Sequence, residues 1–259
     1  MIRFGPAGMG GVKEAIWNLE SFHKYGLRAC EIAFTYGVYI RDEQAAMAIG
    51  KRARELDIKL SIHAPYYINL NSEDKKKIEE SKHRILECCK IGDKLGAYLV
   101  VFHPGYYGKS GKQETYKNIK KAILNIKKEI KKNKWNINVA AETTGKLNVF
   151  GDVSEIVKLA GDTGCFFCLD FAHLLARSQG KMNYGKMYNY FKKFPSLHCH
   201  FSGIDYGEKG EKNHKLTPEQ EMKKLLSALP KNKEIVIINE SPDPAGDSVK
   251  MLKFWNKMR

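Results

Sequence analysis

Short apolar runs without alternation recur along the chain, and after each one apolar residues return every three to four positions. A run with no polar face reads as a strand covered on both sides, and the longer period reads as an amphipathic helix. The strands expected are residues 2–4, 29–34, 59–62, 98–102, 137–141, 165–169, 197–201 and 234–239. Helices are expected at 12–25, 43–56, 72–95, 112–132, 153–160, 184–194 and 248–257, with another opening at Thr217-Pro218-Glu219. Gly26 ends the first helix, Ser72 is the expected cap of the third, and Pro195 closes the helix before it. Residues 202–214 are polar and read as a long loop.

Eight alternating strand–helix units with no linker predict parallel strands, and at this length they predict an α/β fold of the closed (β/α)8 TIM barrel type. It would be a single domain over residues 1–259. The competing fold is a doubly wound open sheet, which would give fewer strands and usually a glycine-rich first turn. No GxGxxG or GxxxxGK[ST] occurs.

Composition adds three constraints. Hydrophobic residues make up 43% of the 259, enough for a large core. The six cysteines are scattered through apolar segments, so they read as buried thiols; Cys165 and Cys168 form a CxxC on a strand, where residues three apart face opposite sides. The formal charge of +15 includes lysine runs at 75–77 and in 127–134. Such runs are usually a solvated helical face, but a charge of this size favours a polyanion such as nucleic acid. No signal-peptide pattern or apolar run of about 18 residues is present, so a cytoplasmic protein with no membrane partner is expected.

The chemistry lies at the strand ends. His63 closes the third strand, His103 the fourth, Glu142 the fifth and Asp170 the sixth, with His173 three residues on. His200 lies near the end of the seventh, His214 beyond it, and Glu240 follows the eighth. In a barrel these ends share one rim. A lone strand-end histidine is ordinarily structural, but that account has to hold separately at six ends. Mixed imidazole and carboxylate donors suit Zn²⁺, with Mn²⁺ or Fe²⁺ in similar geometry. Eight or nine donors exceed one ion, so two or three ions and a bridging carboxylate are implied, an arrangement suited to phosphate-ester hydrolysis. His198 shares a strand face with His200 and competes for its role; His200 is nearer the rim. His23 and His83 fall in helical stretches.

The motifs His63-Ala64-Pro65-Tyr66-Tyr67-Ile68-Asn69-Leu70, Val101-Phe102-His103-Pro104-Gly105, Ala141-Glu142-Thr143-Thr144-Gly145, Cys168-Leu169-Asp170-Phe171-Ala172-His173 and Asn239-Glu240-Ser241-Pro242 span the chain. Together they resemble the endonuclease IV family of apurinic/apyrimidinic-site nucleases, within the xylose-isomerase-like barrels. The resemblance implies a trinuclear zinc site. His63, His103 and Glu142 would hold one ion, and Glu142 would bridge to a second held by Asp170, His200 and Glu240. His173 and His214 would hold the third. The family completes that site with an aspartate two residues before its histidine; here Lys212 stands there, and Glu211 is the nearest acid.

The resemblance also implies hydrolysis of the phosphodiester 5′ to an abasic site in double-stranded DNA, with Glu142 as the catalytic bridging carboxylate, by a monomer. DNA contacts would come from Tyr66, from Tyr67 in the place of an intercalating residue, and from Tyr39 and Arg41 in the loop after strand two. The main rival is a sugar isomerase or epimerase using Glu142, Asp170, His200 and Glu240 on one metal. A non-catalytic nucleic-acid-binding barrel is the second rival; it leaves the converging donors without a purpose.

Overall fold

A computed structural model describes residues 1–258. Eight parallel strands form one sheet: β1 (Ile2–Pro6), β2 (Ala29–Ala33), β3 (Lys59–His63), β4 (Leu99–Phe102), β5 (Asn138–Glu142), β6 (Phe166–Asp170), β7 (Ser196–Phe201) and β10 (Glu234–Asn239). Their order, β1-β10-β7-β6-β5-β4-β3-β2, returns to its start. The seam between β1 and β2 closes through Gly8 N–H to the Glu31 carbonyl at 2.7 Å and Arg28 N–H to the Phe4 carbonyl at 3.0 Å. Closure needs a glycine here, because a Cβ on Gly5 would lie 1.8 Å from the Ala29 carbonyl oxygen. The structure is therefore the closed barrel and not the open sheet.

Helices α1 (Ala15–Lys24), α2 (Glu43–Glu55), α3 (Lys75–Leu95), α4 (Lys112–Lys132), α5 (Val153–Thr163), α6 (Phe171–Arg177), α7 (Tyr184–Phe191), α8 (Glu219–Ala228) and α9 (Pro244–Lys257) follow the strands. Outward strand residues such as Ile62, Phe102, Phe167 and Ile237 pack with these helices in one continuous core. Inside the barrel the apolar residues form small separate clusters, one of Leu99, Val101, Ala140 and Cys168 and another of Ala29, Val236 and Ile238. All six cysteines are free and buried. No helix among the described residues is long and apolar enough to cross a membrane.

Two local expectations are corrected, and one helix is added. Asp74 and not Ser72 caps α3, accepting from Lys76 N–H at 2.8 Å; Ser72 Oγ instead accepts from Asp74 N–H and shapes the preceding turn. Residues 171–177 form α6 with no loop before it, because Asp170 ends β6 and also caps the helix, its Oδ1 accepting from His173 N–H at 2.9 Å.

Residues 202–214 contain an antiparallel hairpin, β8 (Gly203–Gly207) and β9 (Gly210–Lys215). Its largely exposed strands need no apolar run, so their composition mimics a loop. The hairpin lies against the loop after β5: Glu211 N–H donates to the Gly145 carbonyl at 3.3 Å, and a Cβ on Gly210 would come within 2.1 Å of that same oxygen.

Candidate metal centre

Every strand-end acid and imidazole singled out in the sequence is brought to the C-terminal mouth of the barrel, with Glu142 in the middle. Glu142 is fully buried. Its Oε2 lies 3.1 Å from His63 Nε2 and 3.0 Å from His103 Nε2. Its Oε1 lies 3.0 Å from His200 Nδ1 and 3.4 Å from His173 Nδ1. Two donor sets thus meet at one carboxylate: His63, His103 and Glu142, and Glu142, Asp170, His200 and Glu240, each with its donor atoms within 4.8 Å of one another.

Hydrogen bonds to the backbone and to Ser202 fix which nitrogen of the His63, His173 and His214 rings is free. His63 Nδ1–H donates to the Ala64 carbonyl at 2.7 Å, leaving Nε2 for the site. His173 Nδ1 lies 3.0 Å from the Thr143 carbonyl and 2.9 Å from Asp170 Oδ2, so it carries the hydrogen, and Nε2 faces Glu211 Oε2 at 3.5 Å. Ser202 Oγ donates to the Gly203 carbonyl and so accepts from His214 Nδ1–H at 2.6 Å, which frees His214 Nε2. The His173 and His214 rings stand 5.5 Å apart between centroids. Glu211 thereby stands against His173, while Lys212 is exposed on the hairpin.

Burial alone would keep a proton on Glu142, but the His103 and His200 imidazoles hold its carboxyl well below the usual range. Burial likewise opposes charging of His63, yet Glu142 raises it to about 9, and His173 and His200 are also raised. Buried acids in this cluster therefore demand positive charge. Asp170 Oδ2 is buried, with His173 Nδ1–H 2.9 Å away but too far off line to count as a hydrogen bond. Such an orphan acceptor within an imidazole and carboxylate set fits divalent cations of the zinc, manganese or iron kind. Cys168, His198 and His200 also approach one another. Burial, however, pushes the Cys168 thiol far above its ordinary value, so it stays protonated and is a poor ligand.

Around the mouth, Tyr66 is 54% exposed, with its ring 5.6 Å from that of His63 and 6.1 Å from that of His103. Tyr67 donates its hydroxyl to the Tyr36 carbonyl at 2.5 Å and carries the Arg84 guanidinium over its ring. Tyr39 donates to the Gly10 carbonyl at 3.2 Å, and Arg41 is exposed nearby. A cavity of about 130 Å³ opens between His63, Tyr66, His214 and Glu240.

One site residue escaped the sequence reading. Glu31, on β2, is fully buried and lies 2.8 Å from His200 Nε2 and 3.0 Å from His198 Nε2. The signal was present: it is a carboxylate inside an otherwise apolar strand, which is costly unless paired. His200 reaches Glu142, whereas His198, on the same strand face, reaches only as far as Glu31.

A closed eight-stranded parallel barrel with acids and imidazoles gathered at its C-terminal mouth has the layout of a barrel enzyme with its site on the βα loops. The chain belongs to the xylose isomerase-like TIM barrel family, whose sequence profile matches residues 19–258. It is 35% identical to an uncharacterized protein of Methanocaldococcus jannaschii over 100% of this chain and 98% of that one. It is 24% identical to a probable endonuclease 4 of Mycobacterium bovis over 78% of each.

Among solved structures it resembles endonuclease IV from Thermus thermophilus, with a TM-score of 0.73, 18% identity and coverage of 100% and 99%. It also resembles D-psicose 3-epimerase, with a TM-score of 0.71, 16% identity and coverage of 97% of each chain. At these identities the two structural likenesses speak for the fold only.

Proposed function

We propose that this protein is a metal-dependent endonuclease that hydrolyses the phosphodiester 5′ to an abasic site in double-stranded DNA, using a di- or trinuclear zinc centre. The observation that carries the reading is the division of labour at Glu142, with Oε2 turned to His63 and His103 and Oε1 to His200 and His173. A carboxylate shared in this way is the bridge that two neighbouring cations require. The similarity to a probable endonuclease 4 supports the same class.

His63, His103 and Glu142 would hold one ion, Glu142, Asp170, His200 and Glu240 the second, and His173, His214 and Glu211 a third. Zinc in such a site supplies Lewis acidity toward water and toward the phosphate oxygens. Glu142 orients the attacking water toward the phosphorus. Tyr66, beside His63, stacks on the opened strand, and Tyr67 wedges next to it. Tyr39 and Arg41 hold the strand from the β2 side. The net charge of +15 draws in the duplex, so binding weakens as salt rises. No base need be read, since a nucleotide without its base is easily extruded.

The epimerase reading keeps one observation in its favour: Glu142, Asp170, His200 and Glu240 form a complete set by themselves. It leaves His63 and His103 without a task. One experiment separates the two. Zinc-loaded protein is assayed on abasic, intact and nicked duplexes and on ketohexoses, with metal counted per chain. Incision at abasic sites with two or three ions is expected. One ion, ketose epimerisation and no incision would sink the nuclease reading.

A further inference from the structure

Below the mouth lies a set of buried polar groups that the proposed reaction does not use. Glu31 Oε2 accepts from Ser61 Oγ at 2.7 Å and lies 3.0 Å from His198 Nε2. His198 Nδ1 is 2.5 Å from the Tyr98 hydroxyl. Glu31 Oε1 is 2.8 Å from His200 Nε2. That contact is off the line of a straight hydrogen bond, and neither atom makes another hydrogen bond among the described residues.

The hydrogens follow from the partners. A carboxylate only accepts, so each ring nitrogen facing it carries a hydrogen. His198 is therefore protonated on Nε2, and its Nδ1 accepts from Tyr98. His200 faces carboxylates from both nitrogens: Nε2 meets Glu31 Oε1, and Nδ1 meets Glu142 Oε1 at 3.0 Å and Glu240 Oε2 at 3.5 Å. A cation among Glu142, Asp170 and Glu240 would take the Nδ1 lone pair, and the single hydrogen of the neutral ring would then stay on Nε2, toward Glu31. Glu31 stands between Cys30 and Ile32 with no lysine or arginine ion-paired to it among the described residues. A buried acid in that setting is costly unless its neighbours use its charge.

We propose that Glu31 is the positioning residue of this centre: it holds His200 in the Nε2–H tautomer and so presents Nδ1 to the cation shared with Glu142, Asp170 and Glu240. The role rests on the metal-dependent reading above. A histidine ligand whose second nitrogen donates to a carboxylate is oriented and made more basic. Ser61 and Tyr98 act one step behind, fixing Glu31 and His198.

The test compares zinc-loaded wild type with Glu31→Gln, an isosteric change that removes the charge and one acceptor. Competition with a chromophoric chelator should show one zinc held about 10- to 100-fold more weakly, the other held as in wild type, and a melting temperature close to wild type. ¹⁵N spectra of histidine-labelled wild type, assigned with His200→Asn, should place the His200 hydrogen on Nε2.

Wild-type affinity for every zinc in Glu31→Gln overturns the proposal, as does equal weakening of all of them. A His200 hydrogen on Nδ1 in wild type overturns it without any variant having to fold. Wild type that takes up no zinc removes the centre and this role together, whereas full uptake by both proteins removes only the role of Glu31.

Discussion

The two sides of the same eight strands are built for different tasks. Outward residues such as Phe102, Leu169, Leu197 and Ile237 join one continuous apolar core with the helices. Inward residues break into two small apolar clusters, and between them a line of polar groups climbs from Tyr98 through His198, Glu31 and His200 to Glu142. Stability resides on the outer side, and the chemistry is loaded on the inner side, where every acid has an imidazole against it. A change on one side should therefore leave the other side's property nearly intact.

The largest effect expected is on the outer side. Phe102→Ala removes a fully buried ring and should lower unfolding free energy by about 3–5 kcal/mol, seen in urea titration, while folded protein keeps its zinc. On the inner side, Glu142→Gln should cut incision of abasic duplex by about 10²–10³-fold, the loss typical of one electrostatic group in a reacting site, with a melting temperature near wild type when both proteins are compared free of zinc. Near-wild-type incision would remove Glu142 from its assigned place.

Stripping zinc with a chelator should lower stability by about 2.7 kcal/mol relative to protein in 100-fold excess over Kd, measured as the change in melting temperature with free zinc. An unchanged melting curve would speak against cations in the cluster. Tyr66→Ala touches neither side directly and should weaken binding to abasic DNA by about 1–3 kcal/mol, leaving zinc content alone.

The smallest effect is on acid stability. Asp247 is buried and accepts from Thr217 N–H at 2.7 Å; although burial opposes charging, that bond holds its carboxyl below the usual range. A depressed carboxyl stabilises the fold above its unfolded value of about 3.9, and that contribution is lost as pH falls through the lower folded value. Asp247→Asn should cost about 1 kcal/mol at neutral pH and show a shallower drop in melting temperature between neutral and acid conditions. An equally steep drop would show that Asp247 does not contribute to the acid limb.

Much of this was legible along the chain. Two-sided apolar runs marked the eight strands, and the residue ending each run marked His63, Glu142 and Asp170, because in a parallel barrel every run ends at the same mouth. The hairpin carrying Glu211 and His214 was not legible, since strands open to water on their faces need no apolar pattern. Helix α6 was hidden because Asp170 serves as strand end and helix cap at once. Glu31 carries no such mark, because it sits within a strand and not at its tip.

The sequence by itself determined the number and order of the units and which residues stand at their tips, since period and punctuation are local properties. Only the tertiary structure decided that Glu31 meets His198 and His200 from 167 and 169 positions away, and that Glu142 offers a separate oxygen to each donor set. Alternation along a strand tells which residues share a face. Closure of the barrel sets which strands confront one another across its axis, and no local pattern records that.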